Sequence, residues 1–289
     1  NSFVLYFALP CMLYRFGSTT PIGQLFDPGV FFTYLLCALV LVGFVVTVSM
    51  NRRIGWNDAA FGALVAAFPN TGFMGVPLLV ALLGAAAAGP AIATIMVDLL
   101  VTSSLCVALS RLDGAGAHGF AVAGRNALRG VLVNPMPWAI LLGALASYLG
   151  LTLPGPANQA VGLLADAASP VALFTIGAVL ARSQMIVPVD GAHPLPMRDY
   201  IPVAVIKLVL HPVLVLLVGI GAIQLGVPLD RFALTVIVLV AALPSASNAS
   251  ILAERFGANN GRIARIILVS TAAAFLSFSA TVALLVGPR

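Results

Sequence analysis

Hydrophobic residues in this chain fall into long runs separated by short polar or Pro/Gly-rich stretches. Nine runs can be drawn, over 1–16, 31–50, 58–84, 90–110, 133–151, 157–182, 200–225, 229–253 and 262–286. Most have about the 18–25 residues that a helix needs to cross a hydrocarbon core, whereas an outer-membrane barrel shows alternating segments of about 10 residues. The pattern predicts an all-α polytopic membrane protein. Residues 114–130 place Arg125 and Arg129 among small apolar residues, which leaves loop and short interfacial helix both open.

Composition supports this reading. Of 289 residues, 61% are hydrophobic and 8% charged, with mean hydropathy +1.10. An ordinary soluble domain has about 25% charged residues. A soluble enzyme, a disordered chain and a secreted disulfide scaffold are therefore excluded. Cys11, Cys37 and Cys106 all lie inside apolar runs, with no CxxC or Cys/His spacing. Neither a disulfide framework nor a zinc site is expected, and no metal or cofactor is called for. The chain starts at Asn1 inside an apolar segment, with no cleavable-signal pattern.

The net charge of +5 would suit a nucleic-acid binder, but its distribution does not. Ten arginines fall in one set of alternate connections: Arg52, Arg53, Arg111, Arg125, Arg129, Arg182, Arg198, Arg255, Arg262 and Arg265. The other set holds three, Arg15, Arg231 and Arg289, and Lys207 lies inside a run. By the positive-inside rule, 51–57, 111–132, 183–199 and 254–261 are expected in the cytoplasm and 18–30, 85–89, 152–156 and 226–230 outside. The bilayer is one partner, in the inner (plasma) membrane, and no nucleic acid is expected.

The two halves resemble each other. Pro10 and Gly17 match Pro170 and Gly177, and Ala66-Ala67-Phe68-Pro69 matches Ala241-Ala242-Leu243-Pro244. Run 133–151 has no counterpart in the first half, so a further helix upstream of Asn1 is expected. Ten helices in two five-helix repeats follow, and five is odd, so the repeats are expected to be inverted. The expected division is 1–110 as the first repeat, 111–132 as a cytoplasmic connector and 133–289 as the second repeat.

Run 58–84 contains Pro69-Asn70-Thr71-Gly72-Phe73-Met74-Gly75-Val76-Pro77. Proline removes an N–H and clashes with the preceding turn, and broken backbone at membrane depth survives only against protein or a water-filled cavity. One reading is a kinked helix packed through small residues. The other is a discontinuous helix whose freed amides face an anion. The partner string Pro244-Ser245-Ala246-Ser247-Asn248 lacks glycine but is rich in serine, and its polar groups can satisfy freed backbone. Interrupted segments at corresponding places in two halves are the best sequence pointer to a transport site. The candidate binding residues are Pro69, Asn70, Thr71, Gly72, Gly75, Pro77, Pro244, Ser245, Ser247 and Asn248.

NTGFMGVPLL, NPMPWAILLGALASYLGL, SPVALFTIGAVL and AALPSASNASILAERFGA together resemble the auxin efflux carrier family, which includes bacterial malonate and related organic-acid transporters. The resemblance covers essentially the whole chain. It implies a ten-helix fold with inverted repeats, a crossover of two proline-broken helices, and a substrate carboxylate bound there by asparagines. That role carries over to Asn70 and, through a looser motif, to Asn248. The long cytoplasmic loop of many plant members is absent, which favours the compact bacterial type.

Among ionisable groups inside runs, Asp98 is the most deeply placed acid and needs a partner or titrates. Lys207 and His211 share a helix face at i, i+4. Lys207 either attracts anions or balances Asp98, His211 suits a packing role, and Asp166 lies nearer solvent. No GxSxG, HExxH, GxGxxG or P-loop string is present, so no enzyme is expected. The expected function is alternating-access, proton-linked carriage of small mono- or dicarboxylates such as malonate or auxin-like acids, with a homodimer as an allowed assembly. A sodium-coupled organic-anion symporter of the bile-acid type, a channel and a membrane receptor are the alternatives.

Overall fold

The computed structural model describes residues 3–19, 27–111, 135–185 and 195–287, and among them the chain is helical. The eleven helices described here are α1 (Leu9–Thr19), α2 (Pro28–Ser49), α3 (Trp56–Ala67), α4 (Thr71–Leu83), α5 (Ala85–Ser110), α6 (Pro135–Leu149), α7 (Gly155–Met185), α8 (Ile201–Gln224), α9 (Arg231–Ala242), α10 (Ala249–Arg255) and α11 (Asn260–Val286). The connector 111–132 and the interfacial segment 114–130 lie, apart from Arg111, outside the described residues.

Local sequence sets the helix ends. Asp27 accepts from Val30 N at 3.1 Å with Pro28 in the first turn of α2, and Asp230 accepts from Ala233 N at 2.6 Å at the start of α9. Both satisfy donors that a helix start leaves open. Gly84, at φ 89°, ends α4 in a conformation that side chains rarely adopt.

Four helices among the described residues are long and apolar enough to cross a membrane: α2, α5, α8 and α11. Runs 58–84 and 229–253 are each split in two, because Pro69 and Pro244 stop the helices that precede them. Large apolar side chains face outward along the long helices, such as Phe32, Phe44, Leu217, Phe275 and Leu284. That surface suits lipid rather than water.

The helices form two packed groups. Helices α6 and α7 each pack on α1, while α2–α5 and α8–α11 form a second bundle that holds both helix breaks. The groups meet where α7 touches α11 and the turn opening α4, where α6 touches the Asp98–Thr102 turn of α5, and where Met12 of α1 approaches Gly72. In the first group a side chain at Gly143 would run into the carbonyl of Tyr14 and come within 3.0 Å of Gly17 Cα, so α1 and α6 touch backbone to backbone. Gly143→Val is expected to lower stability by about 1–3 kcal/mol through this overpacking. Thermal unfolding of the purified protein checks it, and an unchanged midpoint would mean that the close approach is not needed.

Candidate functional site

Pro69 and Pro244 each interrupt a helical run, and the structure brings the two interruptions together. Asn70 N donates to Pro244 O at 2.8 Å and Ala246 N donates to Phe68 O at 2.9 Å, so Pro69 and Ser245 form an isolated antiparallel β-bridge. Proline has already removed donors from each helix, and the freed groups satisfy one another across the break instead of facing lipid. Ser245 reinforces the link, with Oγ donating to Val65 O at 2.6 Å and its backbone N–H to Ser270 Oγ at 3.2 Å. The chain crosses itself as two hydrogen-bonded extended segments, which favours the discontinuous reading over a kinked helix.

Beyond the bridge, the backbone turns wide over Thr71–Gly75 before α4 continues from Val76, with Pro77 in its first turn. Gly75 leaves room for Leu243, because a Cβ there would sit 2.5 Å from Leu243 Cδ1.

A cavity of about 20 Å³ lies between this crossover and α1, lined by Pro69, Asn70, Gly72 and Asn248. Leu9, Met12 and Leu13 close it from α1, and Ile95 and Leu99 from α5. The side-chain oxygens Asn70 Oδ1 and Asn248 Oδ1 are both buried without a hydrogen-bond partner. An unpaired buried acceptor costs about 1–3 kcal/mol. Two of them on one cavity mark a place where polar ligand groups would be stabilised. At this volume the cavity has room for about one water, whereas a small-molecule pocket is roughly 300–1,000 Å³.

The other candidate residues do not line this cavity. Thr71 is fully buried with its hydroxyl unpartnered, Ser245 is used by the bridge, and Ser247 accepts from Ser250 Oγ through its carbonyl at 2.9 Å. Pro77 and Gly75 shape α4, and Pro244 supplies the carbonyl that holds Asn70.

Behind the crossover lies a buried polar cluster. Pro212 cannot donate to the turn before it and its ring crowds that turn, and α8 widens over Ile206–Leu210, which carries Lys207. The Lys207 ammonium donates to Ala241 O at 2.7 Å and lies 3.0 Å from His211 Nδ1. Ala241 is in the last turn of α9, so the charge meets a carbonyl that the helix end leaves open and favours the dipole there. On α5 a second wide turn, Asp98–Thr102, holds the fully buried Asp98. Thr102 Oγ1 donates to Asp98 Oδ1 at 3.3 Å, and Oδ2 has no partner. Asp98 and Lys207 make no direct ion pair. Tyr34 completes the cluster with its ring 5.9 Å from that of His211 and its hydroxyl unpartnered. Asp166 lies away from it, in an exposed pair with Arg15 at 2.8 Å between α7 and α1.

Lys207→Met removes the cation from this cluster and leaves Ala241 O and Asp98 uncompensated. Breaking a buried charge arrangement by removing one member costs about 3–5 kcal/mol, so a large fall in thermal midpoint is expected. A loss under about 1 kcal/mol would place Lys207 among the weak, solvent-screened charges instead.

At the end of the bundle that carries most of the loop arginines, a second network links the halves. Arg262, 2% exposed, donates from Nη1 to Asp58 O at 2.8 Å and from Nε to Asp199 O at 2.7 Å. Asn259 N donates to Asp58 Oδ1 at 2.7 Å and Asn57 Nδ2 to Phe256 O at 3.1 Å. These bonds tie the start of α3 to the α10–α11 turn.

Long apolar helices arranged around two broken segments, with unpartnered amide oxygens on a cavity at their crossing, fit a membrane transporter. The chain belongs to the auxin efflux carrier-like family described as membrane transport protein, whose model matches residues 1–115 and 119–282. It is similar to "Putative malonate transporter" of Rhizobium meliloti (strain 1021), at 28% identity over 94% of this chain and 81% of that protein. It is also similar to "Uncharacterized transporter YfdV" of Escherichia coli (strain K12), at 28% identity over 69% of this chain and 59% of that protein. The chain is thus a multi-pass membrane transporter and not an enzyme.

Proposed function

We propose that this protein is a secondary carrier of small organic anions, mono- or dicarboxylates, working by alternating access in the inner membrane. The observation that carries the reading is the pair of unpartnered amide oxygens, Asn70 Oδ1 and Asn248 Oδ1, on one cavity at the crossover. Each amide also has an NH2 group able to donate to a carboxylate, and the start of α4 adds the positive end of a helix dipole. The similarity to the Rhizobium putative malonate transporter supports malonate as a first probe.

In this reading α1, α6 and α7 form a frame, and the crossover bundle shifts against Leu9, Met12 and Leu13 to open the cavity. The Arg262 network closes the cytoplasmic end and must release on that side. Transport is proton-linked, with Asp98 as the acid that exchanges the proton. A sodium-coupled cycle is disfavoured because no carboxylate among the described residues lines the cavity to help hold a hard cation.

Proteoliposomes loaded with unlabelled malonate and supplied with labelled malonate outside test the proposal. A carrier gives saturable counterflow that exceeds simple equilibration. Non-saturable flux would indicate a channel, and binding without flux a receptor.

A further inference from the structure

The crossover cavity has a polar but uncharged wall. Among the described residues, its lining apart from Asn70 and Asn248 is apolar or backbone, and no described Lys, Arg, His, Asp or Glu lines it. The titratable groups around it are not among its described lining residues, although Asp98 Oδ2 and the Tyr34 hydroxyl are themselves unpartnered. Lys207 is held by Ala241 O and His211, Asp98 meets Thr102, Tyr34 packs beside His211, and Cys11 adjoins the lining residue Met12. The positive end of α4 is worth roughly half a charge. That partly offsets one carboxylate, but a second would enter with no counter-charge at all, which is strongly unfavourable.

Hydrogen-bond chemistry points the same way. Each asparagine amide offers two donors and one acceptor, and a carboxylate is acceptor-only. A dicarboxylate dianion would leave both amide oxygens unsatisfied, with Asn248 only 7% exposed. A singly protonated dicarboxylate brings one carboxylate for the NH2 groups and one O–H for an amide oxygen. Exchanging N and O of either amide does not change this count.

We infer that the crossover takes dicarboxylates as the singly protonated monoanion, the carboxyl O–H donating to an asparagine oxygen. This rests on the crossover being the substrate site. Such a substrate carries its own proton, so dicarboxylate uptake is proton-linked whether or not Asp98 exchanges one.

The test is calorimetric binding to the full-length purified protein, with malonate, malonamate (the monoamide) and monomethyl malonate as probes. It runs from below the second ionisation of malonic acid to well above it. The Kd for total malonate is expected to rise about tenfold per pH unit above that ionisation. Malonamate, with one charge and an N–H donor throughout, is expected to bind with a Kd that does not move. Monomethyl malonate, with one charge and no donor, is also expected to be flat but at least about tenfold weaker than malonamate. A malonate Kd that stays flat or falls with rising pH would overturn the inference, as would flat binding that requires sodium, or equal affinity for the amide and the ester. Absence of binding by all three probes would remove it as well. Asn70→Ala, measured in parallel, separates the two levels. Weaker binding in that variant together with pH-flat malonate leaves the site standing and removes only the charge-state inference. Unchanged binding removes the site and the inference together.

Discussion

Asp98→Asn is expected to give a folded protein that still binds malonamate but no longer accumulates it in response to an inward proton gradient. Asp98 is fully buried and lies on a wide turn of α5, a local geometry frequent at functional sites. Its support is thin: one 3.3 Å bond from Thr102, and an oxygen, Oδ2, with no partner. A carboxyl group kept for structure would be paired and fully hydrogen-bonded, since burial of an acid in a membrane costs about 2.5–3.5 kcal/mol even on insertion scales. A group this loosely held, near Lys207 but not bonded to it, can gain and lose a proton as the cavity opens to either side. Asparagine keeps the shape and removes the titration.

Malonamate is the informative substrate, because its charge is fixed and the proton must then travel on the protein. Uptake is measured in proteoliposomes with and without the pH gradient. If Asp98 serves folding alone, Asp98→Asn lowers the thermal midpoint, and Lys207→Met added to it partly restores the loss. Unchanged gradient-driven uptake of malonamate would remove Asp98 from the mechanism, and strict sodium dependence would overturn the proton linkage.

The crossover was legible in sequence because proline acts locally. Pro69 and Pro244, 175 positions apart by number, each follow an Ala-Ala-apolar triplet, and each stops its helix where the ring demands. Asn70 and Asn248 could be singled out because an amide in an apolar run needs a partner, and the structure leaves both oxygens on one cavity. The roles of the serines were less legible. Ser245 looks like a substrate ligand in sequence, yet its hydroxyl reaches Val65 O in the other half, a contact 180 residues away that no local pattern encodes.

Leu9, Met12 and Leu13 were missed as cavity wall because they carry no chemistry. Their only signal is an i, i+3, i+4 spacing that any packed helix face shows. In sequence Lys207 reads as attracting anions or as balancing Asp98; in the structure both are buried, and the ammonium bonds to Ala241 O at the end of α9. Helix-end carbonyls attract cations at positions that depend on tertiary crossing, which sequence spacing does not report. Arg262 was counted only as a topology signal, although its guanidinium is buried and joins α3 to the turn before α8.

The claim on which the rest depends is that the crossover asparagines hold the substrate, and Asn70→Ala tests it most directly. Asn70 makes its structural contact through the backbone, N–H to Pro244 O, which alanine keeps. Its side-chain oxygen has no partner to lose. The thermal midpoint without ligand should therefore stay near that of the parent protein. The substrate, by contrast, loses a hydrogen bond to a charged group, which costs about 1.5–3 kcal/mol, or roughly 10- to 150-fold in affinity. The measurement is a malonate binding isotherm for the parent and Asn70→Ala proteins, at a pH below the second ionisation of malonic acid. The predicted result is binding weakened 10-fold or more in a protein of undiminished stability. Equal affinity in the two proteins would contradict the account and place the substrate elsewhere in the molecule.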